Sequence, residues 1–408
     1  MAIAPHIKEA LYSKASGVIR KMFEEGIALK KKFGEDNVYD FSLGNPDLEP
    51  PKEVKDRILE VAKMDLKGMH GYMPNAGYQS TRQAMADKVS LEQGVKLDFS
   101  NVVMSVGAAS ALNCIFKAIL SPSDEVIVPA PFFAEYTNYV KNYNGNLIPV
   151  LSDKKDFSLN IEGIKKALSP KSAAILFNSP NNPTGKVYSE KELIELTELL
   201  KEHGKKTGRY PYLISDEPYR AITYDVSVPA VFPLYDNSVV ASSFAKNLSL
   251  PGERMGYVAV NPKCEDAAEF IAAVTYTTRT LGCVNAPAFF QRVVETTWNA
   301  PVDYSSYEHR MKLITKACSD AGIEFAKPQG AFYLWCKVPV KGKAQGKTET
   351  ADFIGDDFEF TDHLKKYNIL AAPGTGFGCS GWFRISYCVA EKTIINSAPV
   401  FIKAMQNW

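Results

Sequence analysis

The segment Ser243-Phe244-Ala245-Lys246-Asn247-Leu248-Ser249-Leu250-Pro251-Gly252-Glu253-Arg254 sets a lysine between two groups suited to an anion: a hydroxyl three residues before it and a guanidinium eight residues after it. The apolar run 239–242 ahead of it reads as a short buried strand, so Ser243 and Lys246 emerge at its end. Such a set supports a Schiff base between the amine and the aldehyde of pyridoxal phosphate, with the serine and arginine holding the phosphate. A plainer reading stands beside it, because most lysines are solvated and many arginines simply pair with carboxylates.

Five further segments bear on that chemistry. Gly107-Ala108-Ala109-Ser110 follows the strand-like run 102–106 and opens an apolar helix. Small residues at a helix N-terminus let backbone N–H groups approach a phosphate, although tight strand–helix packing uses them equally well. Phe133, in Pro131-Phe132-Phe133-Ala134-Glu135-Tyr136, comes just after the run 126–128, where an aromatic ring either stacks on a planar ligand or plugs the core. Asn178-Ser179-Pro180-Asn181-Asn182-Pro183-Thr184-Gly185 follows the run 173–177 and is either a stiff turn or a loop that offers Asn182 to a ligand oxygen. Ser215-Asp216-Glu217-Pro218-Tyr219 follows the run 212–215; Asp216 there either caps a turn or holds a ring nitrogen protonated, with Tyr219 facing a phenolic oxygen. Arg384, in Trp382-Phe383-Arg384-Ile385-Ser386-Tyr387, is a charge inside an apolar strand, which calls for a structural ion pair or a bound carboxylate.

The elements that must position these residues are legible as texture. From about residue 100, strand-like runs at 102–106, 126–128, 147–150, 173–177, 212–215, 239–242 and 257–260 alternate with helical stretches, the pattern of a mostly parallel sheet with helices on both faces. After about 295 the order becomes helix 301–321, strand 331–336, helix 353–367, strand 382–387 and helix 390–405, a smaller α+β unit. A helix is expected over 16–33, an extended segment over 39–47, and an exposed loop over 341–350. We read 1–50 as a segment packing with the small domain, 51–295 as the large domain and 296–408 as the small one. Net charge of +1 argues against a nucleic-acid surface, and no apolar run approaches a membrane span. The N-terminus lacks the apolar stretch of a signal peptide, so a cytoplasmic location is expected. The seven cysteines are scattered without a CxxC pair, which predicts neither a metal site nor a disulfide framework.

With these stations in one order, the chain resembles the class I/II aminotransferases of the pyridoxal phosphate superfamily, from about Ser16 to the C-terminus. The resemblance implies the aspartate aminotransferase fold, a large domain with a mostly parallel seven-stranded sheet plus a smaller α+β domain. It implies that Lys246 forms the Schiff base and shuttles the proton, that Asp216 pairs with the pyridine nitrogen, and that Asn182 and Tyr219 hydrogen-bond the phenolic oxygen. Phe133 would stack on the ring. Gly107, Ala108 and Ala109, with Ser243 and Arg254, would hold the phosphate. Arg384 would bind the substrate α-carboxylate, and Asn182 borders that site. Gly44, in Leu43-Gly44-Asn45-Pro46-Asp47, matches the segment that closes over substrate. Tyr72, in Gly71-Tyr72-Met73-Pro74-Asn75, matches the tyrosine that reaches the neighbouring subunit's phosphate, so a homodimer is implied. The implied activity is ping-pong transamination between an L-amino acid and a 2-oxo acid, with an aspartate/2-oxoglutarate pair as one option.

The chain departs from that pattern at several positions. Phe133 stands where the best-known aspartate-specific members have tryptophan, and Ala109 where one bacterial subgroup has a lysine that helps hold a side-chain carboxylate. Arg279 lies near the position of an arginine that does this work from the partner subunit in another subgroup, and a surface or interface ion pair explains it equally well. The same scaffold also supports a β-lyase, since its carbanion chemistry allows elimination. A non-enzymatic cofactor-binding regulator is the weaker alternative, with the catalytic set intact. A dehydrogenase lacks its G-x-G-x-x-G turn.

Overall fold

The computed structural model describes residues 3–12, 18–342 and 355–408. Its strands are β1 (Tyr39–Asp40), β2 (Val102–Ser105), β3 (Glu125–Ala130), β4 (Asn146–Leu151), β5 (Ser172–Asn178), β6 (Tyr212–Asp216), β7 (Ser238–Ser243), β8 (Gly256–Val260), β9 (Phe325–Ala326), β10 (Tyr333–Lys337), β11 (Ile369–Leu370), β12 (Ala372–Pro373) and β13 (Trp382–Ser386). Each of the seven strand-like runs between 102 and 260 is a strand of one sheet, in the order β2-β8-β7-β6-β5-β3-β4. β5 and β7 are buried along their whole length, which is why they read as unbroken apolar or small-residue runs. Successive residues turn to opposite faces: Ile175 and Phe177 join one core, Ala174 and Leu176 another.

From β4 through β7 the neighbours pair in parallel. Between β5 and β6 the crossover is the helix Glu190–Thr207, started by a Ser189/Glu192 capping box and ended by Gly208 in the left-handed region. β8 is the exception, antiparallel to both β7 and β2. The link from β7, residues 244–255, holds only the four-residue helix Phe244–Asn247 and turns, and brings the chain back as an antiparallel neighbour.

A second sheet, β12-β13-β10-β9, is antiparallel and packs against the helices Ser305–Asp320, Asp357–Lys365 and Glu391–Gln406 through Phe332, Leu334, Phe383, Ile385 and Phe401. β1 pairs in parallel with β11, and Phe41 stacks on Phe401 at 6.0 Å, so the chain around residue 40 rests on the C-terminal core. The helix expected over 16–33 is Val18–Phe33; a further helix, Pro5–Tyr12, had no counterpart in the sequence reading. The division expected at 295/296 falls inside the helix Ala288–Thr297; Val302 still packs on the large-sheet core and Tyr304 on the second. The start of the helix expected over 353–367, and most of the expected loop 341–350, lie outside the described residues. Among the described residues no helix is long and apolar enough to cross a membrane.

Candidate active site

The C-terminal ends of β5, β6 and β7 open, with the N-terminus of the helix Gly107–Ile119, onto a cavity of about 280 Å³ whose far wall includes Tyr333 and Arg384 of the small sheet. Asp216 is the last residue of β6. Its Oδ2 accepts a hydrogen bond from Tyr136 Oη, while its Oδ1 is buried without a partner. Burial pushes this carboxyl up to about 7; the Tyr136 hydrogen bond works against the shift and the neighbouring Glu217 adds to it. Asn178, the last residue of β5, ties two chains together. Its Nδ2 donates to Asp216 O at 2.8 Å and its Oδ1 accepts from the Asn182 backbone N–H at 2.7 Å, which fixes the Asn-Pro loop beside the carboxylate.

Lys246 rises from the short helix that follows β7. Its Nζ donates to Gly44 O at 2.6 Å, and burial lowers its pKa to about 8, with the charges of Arg384 and Arg254 adding to the effect and Cys388 opposing it. Arg254 lines the same cavity in a left-handed backbone conformation, φ 54°, its Nη1 donating to Pro251 O at 2.8 Å. Gly107 makes this possible. It has φ 78°, and a Cβ there would lie 2.8 Å from Arg254 Nη2. The backbone that follows it, at Ala108 and Ala109, faces the cavity with the free N–H groups of a helix's first turn. Ser243 and Phe133 line the cavity as well, the Phe133 ring meeting Tyr136 edge-on at 5.5 Å.

Arg384, only 2% exposed, is paired with no carboxylate among the described residues. Its Nη1 donates to Asn182 Oδ1 at 2.8 Å, its Nη2 to Ser42 O at 2.6 Å, and its Nε is left without a partner. The guanidinium lies between the rings of Tyr333, at 4.6 Å, and Phe377, at 4.8 Å. The ion-pair explanation from sequence therefore gives way. A buried guanidinium held only by neutral acceptors has the chemistry to bind a carboxylate.

Gly44 comes from the chain that rests on the C-terminal core, and a Cβ there would meet Tyr333 Oη at 2.0 Å. Tyr219 lies across the cavity wall with its Oη 2.7 Å from Tyr333 Oη. Thus one cavity brings together Gly44, Ala108, Ala109, Phe133, Asn182, Asp216, Tyr219, Ser243, Lys246, Arg254 and Arg384, with Gly107 in contact behind Arg254. Two sequence candidates stand apart in this chain. Tyr72 is 92% exposed, and Arg279 is an exposed residue of the helix Ala267–Thr280 set over the Tyr276 ring. Sequence reasoning missed Tyr136, Tyr333, Asn178 and Phe377. Tyr136 and Asn178 stood inside segments already singled out; Tyr333 lay in the strand-like run 331–336 with nothing to mark it, and Phe377 was an aromatic a few residues before Arg384.

The comparisons agree with this geometry. The family described as aminotransferase class I and II matches residues 36–398. A probable aspartate/prephenate aminotransferase of Aquifex aeolicus is 30% identical over 386 residues, covering 91% of this chain and 92% of that protein. An amino transferase of Eubacterium rectale superposes with a TM-score of 0.91 at 36% identity, covering 99% of this chain and 98% of that one. An aspartate aminotransferase of Thermus thermophilus with maleate shares the fold at a TM-score of 0.85, 24% identical, over 99% of this chain and all of that one, 100%. The chain belongs to the class I and II aminotransferases, and it is an enzyme of that kind.

Proposed function

We propose that this enzyme uses pyridoxal phosphate to move the α-amino group of an L-amino acid to a 2-oxo acid in two half-reactions, a ping-pong scheme. The cavity's donor set fits that cofactor. Lys246 offers an amine for its aldehyde, Asp216 Oδ1 an unpartnered acceptor for its ring nitrogen, and Tyr219 and Asn182 polar atoms for its phenolic oxygen. Ser243, Arg254 and the N–H groups at Ala108 and Ala109 suit its phosphate, and Phe133 its ring face. When bound, the cofactor supplies an electron sink for the negative charge left on Cα. The observation that carries the reading is the buried, unpartnered Asp216 Oδ1 in the same cavity as an amine lowered to about 8.

The remaining work falls to the chain itself. Lys246 Nζ takes the proton from substrate Cα; an amine with a pKa near 8 has a useful neutral fraction at pH 7 to 8. Arg384 binds the α-carboxylate as a bidentate fork and so fixes where the Cα–H bond stands relative to Lys246. Chain 42–44 contributes carbonyls to both cations and covers the cavity against water. A homodimer belongs to this reading, in which the exposed ring of Tyr72 reaches the phosphate of a second copy. Aspartate as the amino donor is in keeping with the names of relatives such as the aspartate/prephenate aminotransferase of Aquifex aeolicus and the aspartate aminotransferase of Pyrococcus abyssi, and 2-oxoglutarate is the acceptor we pair with it. The test is a single half-reaction: cofactor-loaded protein mixed with one amino acid at a time, without acceptor. Stoichiometric 2-oxo acid with loss of the cofactor's visible band supports transamination and ranks the donors. Pyruvate and ammonia accumulating from a β-substituted alanine would replace it with elimination.

A further inference from the structure

Tyr219 and Tyr333 form a buried pair of phenols with their oxygens 2.7 Å apart. Each hydroxyl carries one hydrogen, and one of the two must occupy the bond between them. If Tyr219 donates, it has nothing left to offer the cavity. If Tyr333 donates, the Tyr219 O–H is free to point at a ligand.

Geometry selects the second arrangement. The Tyr333 ring lies against the Arg384 guanidinium at 4.6 Å, and a cation on that face makes the phenol a stronger acid and a better donor. Burial raises both phenols and Arg384 draws both back. A cation faces each ring, Arg384 over Tyr333 at 4.6 Å and Lys246 over Tyr219 at 5.9 Å, and the nearer, permanently charged guanidinium makes Tyr333 the better donor. Tyr333 Oη has no other hydrogen-bond partner among the described residues, and Gly44 closes its remaining side so tightly that a Cβ would stand 2.0 Å away. Edge-on contacts of Tyr219 with Phe332 and Tyr333, at 5.4 and 5.5 Å, hold the rings in place.

We propose that Tyr333 is a positioning residue, which donates its hydroxyl hydrogen to Tyr219 Oη and thereby commits the Tyr219 O–H to the phenolic oxygen of the cofactor. The inference rests on the cofactor reading above. Its effect is cooperative: a hydroxyl that accepts one hydrogen bond donates more strongly in the next.

The test is a pH titration of the visible absorbance of the cofactor-loaded protein, which reads the proton affinity near that phenolic oxygen. Tyr219→Phe raises the midpoint because a donor is lost. Tyr333→Phe keeps the ring on Arg384, removes only the hydroxyl, and raises the midpoint by roughly half to one pH unit, the size of one modest hydrogen bond. In the double variant the midpoint equals that of Tyr219→Phe alone, because Tyr333 acts only through Tyr219. Steady-state kinetics of Tyr333→Phe show kcat reduced with KM for the 2-oxo acid held within about twofold, since the carboxylate site is intact. An unchanged midpoint in Tyr333→Phe, or shifts that add in the double variant, overturns the proposal. A Tyr219→Phe midpoint equal to wild type overturns the cofactor reading itself, and this inference with it.

Discussion

Replacing Asp216 by asparagine should have opposite effects on the empty and loaded protein. In the empty cavity the carboxyl is buried, with one oxygen unpartnered, and its pKa rises from 3.8 to about 7. A raised folded-state pKa means that the native state binds the proton more tightly than the unfolded chain between those values. The stabilisation is therefore fully present below pH 3.8 and lost as pH rises through 7. A shift of about three units corresponds to roughly 4 kcal/mol at most, and relaxation of the site brings the expectation to about 2–4 kcal/mol. Asparagine cannot ionise, and its carbonyl still accepts from Tyr136. The assay is urea unfolding of the cofactor-free proteins at several pH values. Asp216→Asn should gain on wild type by about 1.4 kcal/mol per pH unit between pH 5 and 7, then run parallel above 8. With cofactor loaded the sign inverts, because the anion that stabilises the ring nitrogen is gone; turnover should fall by roughly 10²-fold or more. Parallel unfolding curves across the whole range would show that Asp216 is not the desolvated acid described here.

Three further outcomes follow from the same geometry. Lys246→Ala should retain the cofactor, as judged by equilibrium dialysis, while losing roughly 10³-fold or more in kcat, since the base at Cα is removed. Gly44→Ala places a methyl 2.0 Å from Tyr333 Oη, so the chain at 44 must retreat and take its carbonyl off Lys246. Overpacking of that kind costs about 1–3 kcal/mol, and kcat/KM should drop about 10- to 100-fold, with part of the stability loss relieved by Tyr333→Phe in thermal melts. Mixing Tyr72→Phe and Lys246→Ala subunits, each impaired alone, should restore activity through one intact shared site; no recovery in assays of the mixture would count against exchange across a dimer interface.

What sequence revealed and what it concealed divide along physical lines. The strands that build the floor of the cavity are apolar or small-residue runs because both of their faces are buried, so their composition announces them. Side chains leaving their C-terminal ends, Asp216 and Ser243, could be placed from the end of each run. The direction of β8 could not, since it depends on the path of the link after Lys246 rather than on any residue in the strand. Tyr136 and Tyr333 were hidden for another reason. A tyrosine that orients a neighbour across 80 or 114 residues looks, along the chain, like any core aromatic. The carbonyls at Ser42 and Gly44 were hidden most completely, because a backbone acceptor has no side-chain signature at all.

Those carbonyls hold two of the cavity's three cations, Lys246 and Arg384, while Pro251 O holds Arg254. Lys246 and Arg384 lie 138 residues apart in the chain; Arg384 is fully buried and Lys246 half-buried. A carboxylate partner would neutralise them and occupy the place of the substrate. Neutral oxygens at Gly44 and Ser42 satisfy donors without cancelling charge, as Asn182 Oδ1 does for the second arm of Arg384. Asp216, the acid among the described residues lining the cavity, is itself held up to about 7 and so supplies little negative charge below that pH. The cavity is thus electropositive, with Lys246, Arg254 and Arg384 facing a shared space. A phosphate and a carboxylate are better partners than any carbonyl, by the margin that separates charge-assisted from neutral hydrogen bonds. Chain 42–44 consequently satisfies Lys246 and Arg384 without cancelling their charge, and at Arg384 its carbonyl holds a place that a carboxylate would fill with a stronger, charge-assisted bond.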